Sequence, residues 1–490
     1  MNQQLKVSNK TKYTYTMSGL GRDMMYTLCS TYLLVFFTDA IGVSNWELIA
    51  IGTVMAIARI WDAINDPLMG IIVDNTKSRY GKFKPWILIG ALTSAACFFL
   101  LFHDFGLSGT AFIITFGILY VLSDMTFTMN DIAYWSMYPS FSTDPREREK
   151  IGSLARVFAS LGMFITIAFV PIFYQDLYPG TPKEAFAVLA GAIAIIFVIS
   201  QIILVFNVKE QENIITKVQQ KKTKFKEILK VIFKNDQLVV IIVAIFLFNT
   251  GYFITTALGI YFFNYDFNKY GGVEFMLFSI ILAVSQLAAL LIFPALAKRM
   301  SRKKIFGMAI IMISIGYAIF MSVGYIIPQN MFFIGLAGLF LFSGEGFIQV
   351  NVLLMLADTT EYGQWKLGTR NGSIVFAINP FVVKLATSVQ TIIVATTLAV
   401  SGLNEFVINP VQAATEANPN IPTETIRTMI SASVTDEMLL SLRTSMIIIP
   451  FILILASYAV YRWKYKIDSK MYTKITDELT ERIMNQEKTE

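Results

Sequence analysis

Two cysteines and one histidine are all that this 490-residue chain holds of the side chains that most often ligate soft metals. Cys29 and Cys97 stand far apart in separate apolar blocks, without CxxC spacing, which excludes a metal knuckle or a disulfide framework. Both read as small buried hydrophobes. His103 stands alone beside Asp104, so neither a histidine cage nor a nucleophile–histidine pair is available, and nothing points to an enzyme. Charge is scarce as well: 15% of residues are Asp, Glu, Lys or Arg, against about 25% in soluble domains. So little charge could not cover the surface of a soluble chain this long. Hydrophobic residues make up 55% and gather in blocks of roughly 20, the length that crosses a ~30 Å hydrocarbon core at 1.5 Å per residue.

The blocks predict twelve spans, at 17–41, 46–74, 85–103, 109–138, 152–174, 184–207, 237–265, 273–296, 304–327, 331–357, 372–402 and 440–461. Met1 to Lys12 is polar and lacks a cleavable signal pattern, so the first block is expected to stay as a helix. Most lysines and arginines fall before span 1, in connections 2–3, 4–5, 6–7, 8–9 and 10–11, and in the C-terminal tail. The opposite connections hold Lys183, Lys269, Arg427 and Arg443. This alternation predicts both termini cytoplasmic and a multi-pass protein of an inner or plasma membrane. It also explains the net charge of +6 as a topology signal rather than a nucleic-acid footprint.

The longest basic connection has six spans on either side. The expected organisation is therefore an N-terminal six-helix half at 1–208, a cytoplasmic linker at 209–236, a second six-helix half at 237–463 and a cytoplasmic tail at 464–490. That is an all-α membrane protein with the parallel-repeat layout of the major facilitator fold. Residues 403–438, polar and broken by Asn-Pro and Ile-Pro turns, read as an external loop with one short surface helix.

Charges inside spans are rare because each is costly at mid-membrane, about 2.5–3.5 kcal/mol on insertion scales, and they mark candidate functional sites. Asp23 lies in span 1, Arg59, Asp62 and Asp66 in span 2, Asp124 and Asp131 in span 4, and Lys384 in span 11. Arg59, Asp62 and Asp66 follow at i, i+3 and i+7 on one helix face, with Asn65 beside them. Two carboxylates a turn apart repel unless a cation or proton lies between them. Their hard oxygens suit Na⁺, Li⁺ or H⁺. The same residues also fit an ion-pair network that only locks helices together. In span 4, Thr128 lies one turn before Asp131 and Trp135 one turn after it. A carboxylate with an indole at i+4 suits a polyol, which presents hydroxyls and an apolar face. A Trp near a span end fits the interfacial aromatic belt equally well. Asp23, Asp62, Asp66 and Asp131 supply four negative charges against two positive ones from Arg59 and Lys384. That deficit favours taking up a cation with a neutral solute.

The segment ARIWDAINDPLMGIIVDNTKSRYGKFKPWILIG (58–90) closely resembles the corresponding stretch of the glycoside–pentoside–hexuronide:cation symporters. GLGRD (19–23), TMNDIAYWSM (128–137), DPREREK (144–150), KNDQL (234–238), DTTEYGQWKLGTR (358–370) and VVK (382–384) match in the family's order, across nearly the whole chain. The resemblance implies a major facilitator fold and cation-coupled sugar uptake by alternating access, without a cofactor. Asp62 and Asp66 then resemble the cation carboxylates (a Na⁺ or Li⁺ site, if not H⁺), with Asn65 and Thr128 as neighbouring oxygens. Asp23 and Asp131 resemble the principal sugar-binding carboxylates, and Trp135, Arg22 and Arg156 further sugar-site residues. Lys384 resembles the lysine that reaches toward the acidic cluster. Gly70, Asp74, Arg79 and Gly81 resemble the superfamily's 2–3 loop motif, and Asp358, Glu361 and Arg370 the equivalent 10–11 gating region. The alternative for these loop residues is a solvated face.

Asp124 and EYGQWK resemble the lactose-transporting branch, which has His and Glu where this chain has Thr369 and Gly372. The stretch after the last span is too short for that branch's extra regulatory domain. Gln349 and Asn379 stand near sugar-contacting positions with other side chains than the family's, so the sugar is left open. The expectation is a monomeric carrier of a small sugar in a lipid bilayer. The alternatives are a carrier of a lipid or other amphiphile and a non-transporting sugar sensor.

Overall fold

A computed structural model describes residues 7–137, 141, 145–208, 233–267, 270–368 and 372–487. Its long helices are α1 Asn9–Ile41, α2 Asn45–Asn75, α3 Lys84–Leu101, α4 Gly109–Met137, α5 Pro145–Ile172, α6 Pro182–Asn207, α7 Asp236–Asp266 and α8 Gly272–Arg299. They continue with α9 Arg302–Ser322, α10 Met331–Leu367, α11 Gly372–Val400, the shorter α12 Asn409–Ala417 and α13 Thr423–Ser433, then α14 Asp436–Lys464 and α15 Ser469–Glu487. Eleven helices among the described residues are long and apolar enough to cross a membrane. Charged α2, 31 residues long, is not one of them. No strand longer than the isolated Val323–Ile327 bridge occurs among the described residues.

Local chemistry sets the helix ends. Ser44 and Glu47 form a capping box at α2, and Thr181 and Glu184 another at α6, each satisfying N–H groups that a helix start leaves open. Asn330 caps α10, which stops at Gly368 in a left-handed conformation (φ 73°). The segment expected to be a loop with one short helix instead forms α12, α13 and the start of α14. Their apolar residues are spaced to bury one face each, through Val411, Ile426, Ile430 and Leu442.

The chain divides into two compact units. The first is Met1–Gln220 with Ile260–Ser279 and Thr391–Ser441; the second is Lys221–Gly259 with Ile280–Gln390 and Leu442–Glu490. Most of the expected linker, residues 209–232, lies outside the described residues.

Within the first unit, helices approach closely where glycine leaves room. A Cβ on Gly21 of α1 would sit 2.9 Å from Phe197 Cα of α6, and one on Gly162 of α5 would sit 2.3 Å from Leu20 O. Small residues at crossings are how membrane helices gain packing without a hydrophobic drive between them. Buried amides add ties between helices: Gln201 of α6 donates to Ser18 O of α1 at 2.9 Å, and Asn130 of α4 to Ile87 O of α3 at 2.8 Å. Tyr15 of α1 and Tyr134 of α4 stack at 4.4 Å, and each hydroxyl donates to the other's backbone carbonyl at 2.9 and 3.0 Å. This clasp lies in a core with Met69, Val73, Ile87, Met137, Ile151 and Leu204, and Trp135 packs against its edge.

Candidate functional site

The glycines of GLGRD bring α1 against α5 and α6, and Arg22 is buried at that crossing. Its Nη2 lies 2.7 Å from Asp23 Oδ2, and its Nη1 lies 3.0 Å from Asp131 Oδ1 of α4. The guanidinium stacks 4.4 Å from the Tyr134 ring and 4.8 Å from Trp135. Arg156 of α5 lies over the same indole, 5.0 Å away. The structure thus gathers Arg22, Asp23, Asp131, Trp135 and Arg156 around one point. An indole backed by guanidiniums, beside carboxylates that keep some exposure, can stack on a ring and accept from hydroxyls.

A second cluster involves α2. Arg59 Nη1 lies 3.5 Å from both Asp62 Oδ2 and Asp124 Oδ1, and Asp62 is 1% exposed. Asn65 is buried one turn along, and Thr128 Oγ1 of α4 donates to Asp66 Oδ1 at 3.4 Å. Arg59 and Asp124 also line a small cleft, about 30 Å³ in volume, with Met25, Tyr26, Cys29, Phe98, Tyr120, Ser123 and Phe127. Two features escape the sequence reading. Arg22 acts as a bridging cation, and Asp124 shares Arg59 with Asp62. Arg22 and Arg59 are each bracketed by two carboxylates, and Asp66 makes a fifth acid, so acidic groups outnumber the guanidiniums even with Arg156 counted.

Of the loop residues, Gly81 has the left-handed φ (107°) that only glycine adopts without strain, and Arg79 lies over the Tyr80 ring. Gly70 has open space around it. The Asp74 side chain and Arg370 lie outside what the structure describes. In the second unit, Asp358 is buried and paired with Arg302. The KNDQL and EYGQWK blocks meet there: Asn235 donates to Thr359 O at 2.8 Å, Tyr362 donates to Asp236 at 2.9 Å, and Lys366 pairs with Asp236. Trp365 donates to Glu478 of α15 at 2.6 Å. Glu361, Asn379 and Lys384 are half-buried and Gln349 is exposed.

Two further clusters lie at the far ends of the first unit's helices. Three π-helical turns, Phe36–Ile41, Phe173–Leu177 and Phe262–Asp266, converge on Asp39. It accepts from Thr38 at 2.8 Å, from Asn264 at 3.3 Å and from Tyr174 at 3.4 Å. Nearby, Lys183 reaches Asp104 and Glu416 of α12 at 2.8 Å each, while Gln412 ties α12 to Ala40 O at 3.0 Å. Burial alone would push Asp104 up, but the Lys183 ammonium and the Gly106 N–H hold it below the usual carboxylate range. The Lys183 and Gln412 hydrogen bonds hold Glu416 down as well. Both acids are lower when folded, so their contribution is complete above the unfolded range near about 4 and is lost as pH falls through the folded values. The triplet is partly exposed, so its effect is small. Wild type is expected to melt slightly above Lys183→Met at neutral pH, with the gap closing in acid. Thermal unfolding of both across pH checks this, and a gap that does not depend on pH would refute it.

The family described as MFS/sugar transport protein matches residues 14–469. The chain is 32% identical to a lactose permease of Leuconostoc lactis over 76% of its own length and 60% of that protein's, so it spans less than two thirds of that relative. It is 30% identical to a lactose permease of Lactobacillus helveticus, covering 98% of this chain and 73% of that one. It is 23% identical to a glucuronide carrier protein homolog of Escherichia coli, covering 98% and 97%. Among solved structures, a bacterial homolog of the human lysosomal transporter Spinster, inward-facing and occupied, superposes with a TM-score of 0.61 at 10% identity, over 95% of this chain and 97% of the other. The nucleoside transporter NupG does so at 0.53 and 14% identity, over 93% and 100%. Such likenesses speak for the fold. The chain therefore belongs to the MFS/sugar transport family, among the glycoside–pentoside–hexuronide symporters of the major facilitator superfamily, which are multi-pass cell-membrane transporters and not enzymes.

Proposed function

We propose that this chain is a secondary active carrier that couples entry of a glycoside or oligosaccharide to Na⁺, Li⁺ or H⁺ by alternating access. It works as a monomer of twelve spans, α2 included, in two six-helix halves with both termini cytoplasmic. The observation that carries the reading is α4, where Thr128 donates to Asp66 while Asp131, less than one turn later, pairs with Arg22. One rigid helix face joins both acid clusters, so a cation drawn in beside Asp66 biases the position of Asp131. Such coupling is reciprocal: the sugar raises cation affinity by the factor that the cation raises sugar affinity.

In this reading Asp62 and Asp66, with Asn65 and Thr128, hold the cation. Asp23 and Asp131 accept from sugar hydroxyls, and Trp135 stacks on the ring between Arg22 and Arg156. Lys384, Asn379 and Gln349 are assigned to sugar binding on the family resemblance alone. Gly70, Asp74, Arg79, Gly81, Asp358, Glu361 and Arg370 govern the cytoplasmic gate. The chemistry of such a site supports a neutral or weakly acidic sugar, in keeping with relatives named for lactose, raffinose, isoprimeverose and glucuronides. The test is counterflow in proteoliposomes with radiolabelled galactosides, glucosides, xylosides and glucuronides, each with Na⁺, Li⁺ or acid pH. At least one sugar is expected to exchange, faster with one of the three cations. No exchange of any sugar, or exchange indifferent to all three cations, refutes the reading.

A further inference from the structure

Glu345 lies at mid-depth in α10, about 20 Å from the helix start at 1.5 Å per residue. It is 0% exposed, and neither carboxyl oxygen has a hydrogen-bond partner among the described residues. Its flanking glycines account for the burial. A Cβ on Gly344 would press within 2.7 Å of Ala309 O on α9, and one on Gly346 within 2.8 Å of Ala289 Cβ on α8. The Gly-Glu-Gly step thus lets two neighbouring helices close on the carboxyl.

The titratable groups that face it are Tyr252 from α7 and Tyr317 from α9, and no lysine, arginine or histidine pairs with it among the described residues. The nearby polar groups bond elsewhere: Gln286 donates to the Tyr252 hydroxyl at 2.9 Å, Tyr317 and Thr255 share a hydrogen bond at 2.7 Å, and Thr255 donates to Met446 O at 2.9 Å. An ionised carboxylate placed there would have lost its water without gaining a donor or a cation. A metal ion would need several oxygens, and no second acidic side chain acts on Glu345 among the described residues. A proton is the one cation that needs no further ligand.

We propose that Glu345 is a proton-binding site of the transport cycle, separate from Asp62 and Asp66. The carboxylate takes a proton from water when the surrounding helices part toward one side. It holds the proton in the closed arrangement seen here and returns it to water on the other side, with no other bond changing. The proposal rests on the reading of the chain as a sugar carrier, and not on the assignment of Asp62 and Asp66.

The test is downhill sugar entry into weakly buffered proteoliposomes, with external pH and sugar recorded together. Wild type is expected to make the outside alkaline as sugar enters. Glu345→Gln, which fills the same space but cannot titrate, should still exchange sugar while protons moved per sugar fall by about tenfold or more, one carboxyl being the whole site. Glu345→Asp should restore proton movement, which guards against a merely misfolded Gln variant. Stimulation by Na⁺ or Li⁺ should persist in Glu345→Gln; its loss in Asp62 or Asp66 variants is a separate readout. Wild type moving sugar without protons overturns the proposal, as does a Gln variant whose proton-to-sugar ratio equals that of wild type.

Discussion

Asp62→Asn and Asp66→Asn are each expected to abolish Na⁺- or Li⁺-stimulated accumulation of sugar, while downhill exchange at high sugar survives in part. Asparagine keeps the shape and one oxygen of the side chain but removes the charge, so the site keeps its volume and loses its attraction for a cation. Removing only a group that supports a ligand weakens metal binding 10–100-fold, so losing the ligand charge itself should weaken it by about 100-fold or more. Asp62 is the more sensitive position because it is 1% exposed and lies 3.5 Å from Arg59, so neutralising it also leaves that guanidinium with Asp124 as its remaining acidic partner. Asp124→Asn, which removes the other partner, should lower the folded yield more than the cation response. The measurement is sugar accumulation against Na⁺ or Li⁺ at fixed pH in vesicles, normalised to carrier content. Full cation stimulation in either variant would remove Asp62 and Asp66 from the cation site.

Much of this arrangement is legible in the sequence, for a physical reason. The bilayer forces apolar blocks of span length, and a charge kept inside one stands out against them. Asp23, Asp62, Asp66 and Asp131 are visible that way, and helical spacing places Arg59, Asp62 and Asp66 on one face. Spacing along a helix says nothing of which helices meet. Arg22 and Asp131 are 109 positions apart, and only the close crossing of α1 and the Tyr15–Tyr134 clasp bring them together. The pairing of the Asn235-Asp236 step with Thr359, Tyr362 and Lys366 is hidden for the same reason. Glu345 is hard to see because one acid between two glycines barely lowers the hydropathy of a 37-residue helix. Asp39 sits at the edge of its block, where a charge is unremarked, and the π-helical turns that converge on it leave no pattern in the residues. The amphipathic α12 and α13 read as loop because polar residues and prolines dominate a short segment.

Arg22→Met is expected to weaken sugar binding by about 30–150-fold, the equivalent of about 2–3 kcal/mol. Methionine replaces most of the aliphatic stem but leaves Asp23 and Asp131 without the guanidinium that now lies 2.7 and 3.0 Å from them. Stripping one partner from a buried pair typically costs about 3–5 kcal/mol. Asp23 and Asp131 are 26% and 38% exposed, so water screens part of that loss, which is why the lower figure applies. The two acids would then repel and shift, and the indole of Trp135 would lose one of the two cations stacked near it. Arg22→Lys should recover little, because an ammonium cannot bridge two carboxylates with a planar fork while lying flat on two rings. Asp131→Asn added to Arg22→Met should recover folded stability by removing the repulsion, without recovering affinity, since the sugar loses an acceptor with it. Equilibrium sugar binding to the purified carrier, alongside its thermal unfolding, separates these outcomes. Unchanged sugar affinity in a stably folded Arg22→Met carrier would place the sugar elsewhere and leave Arg22 as a tie between α1 and α4.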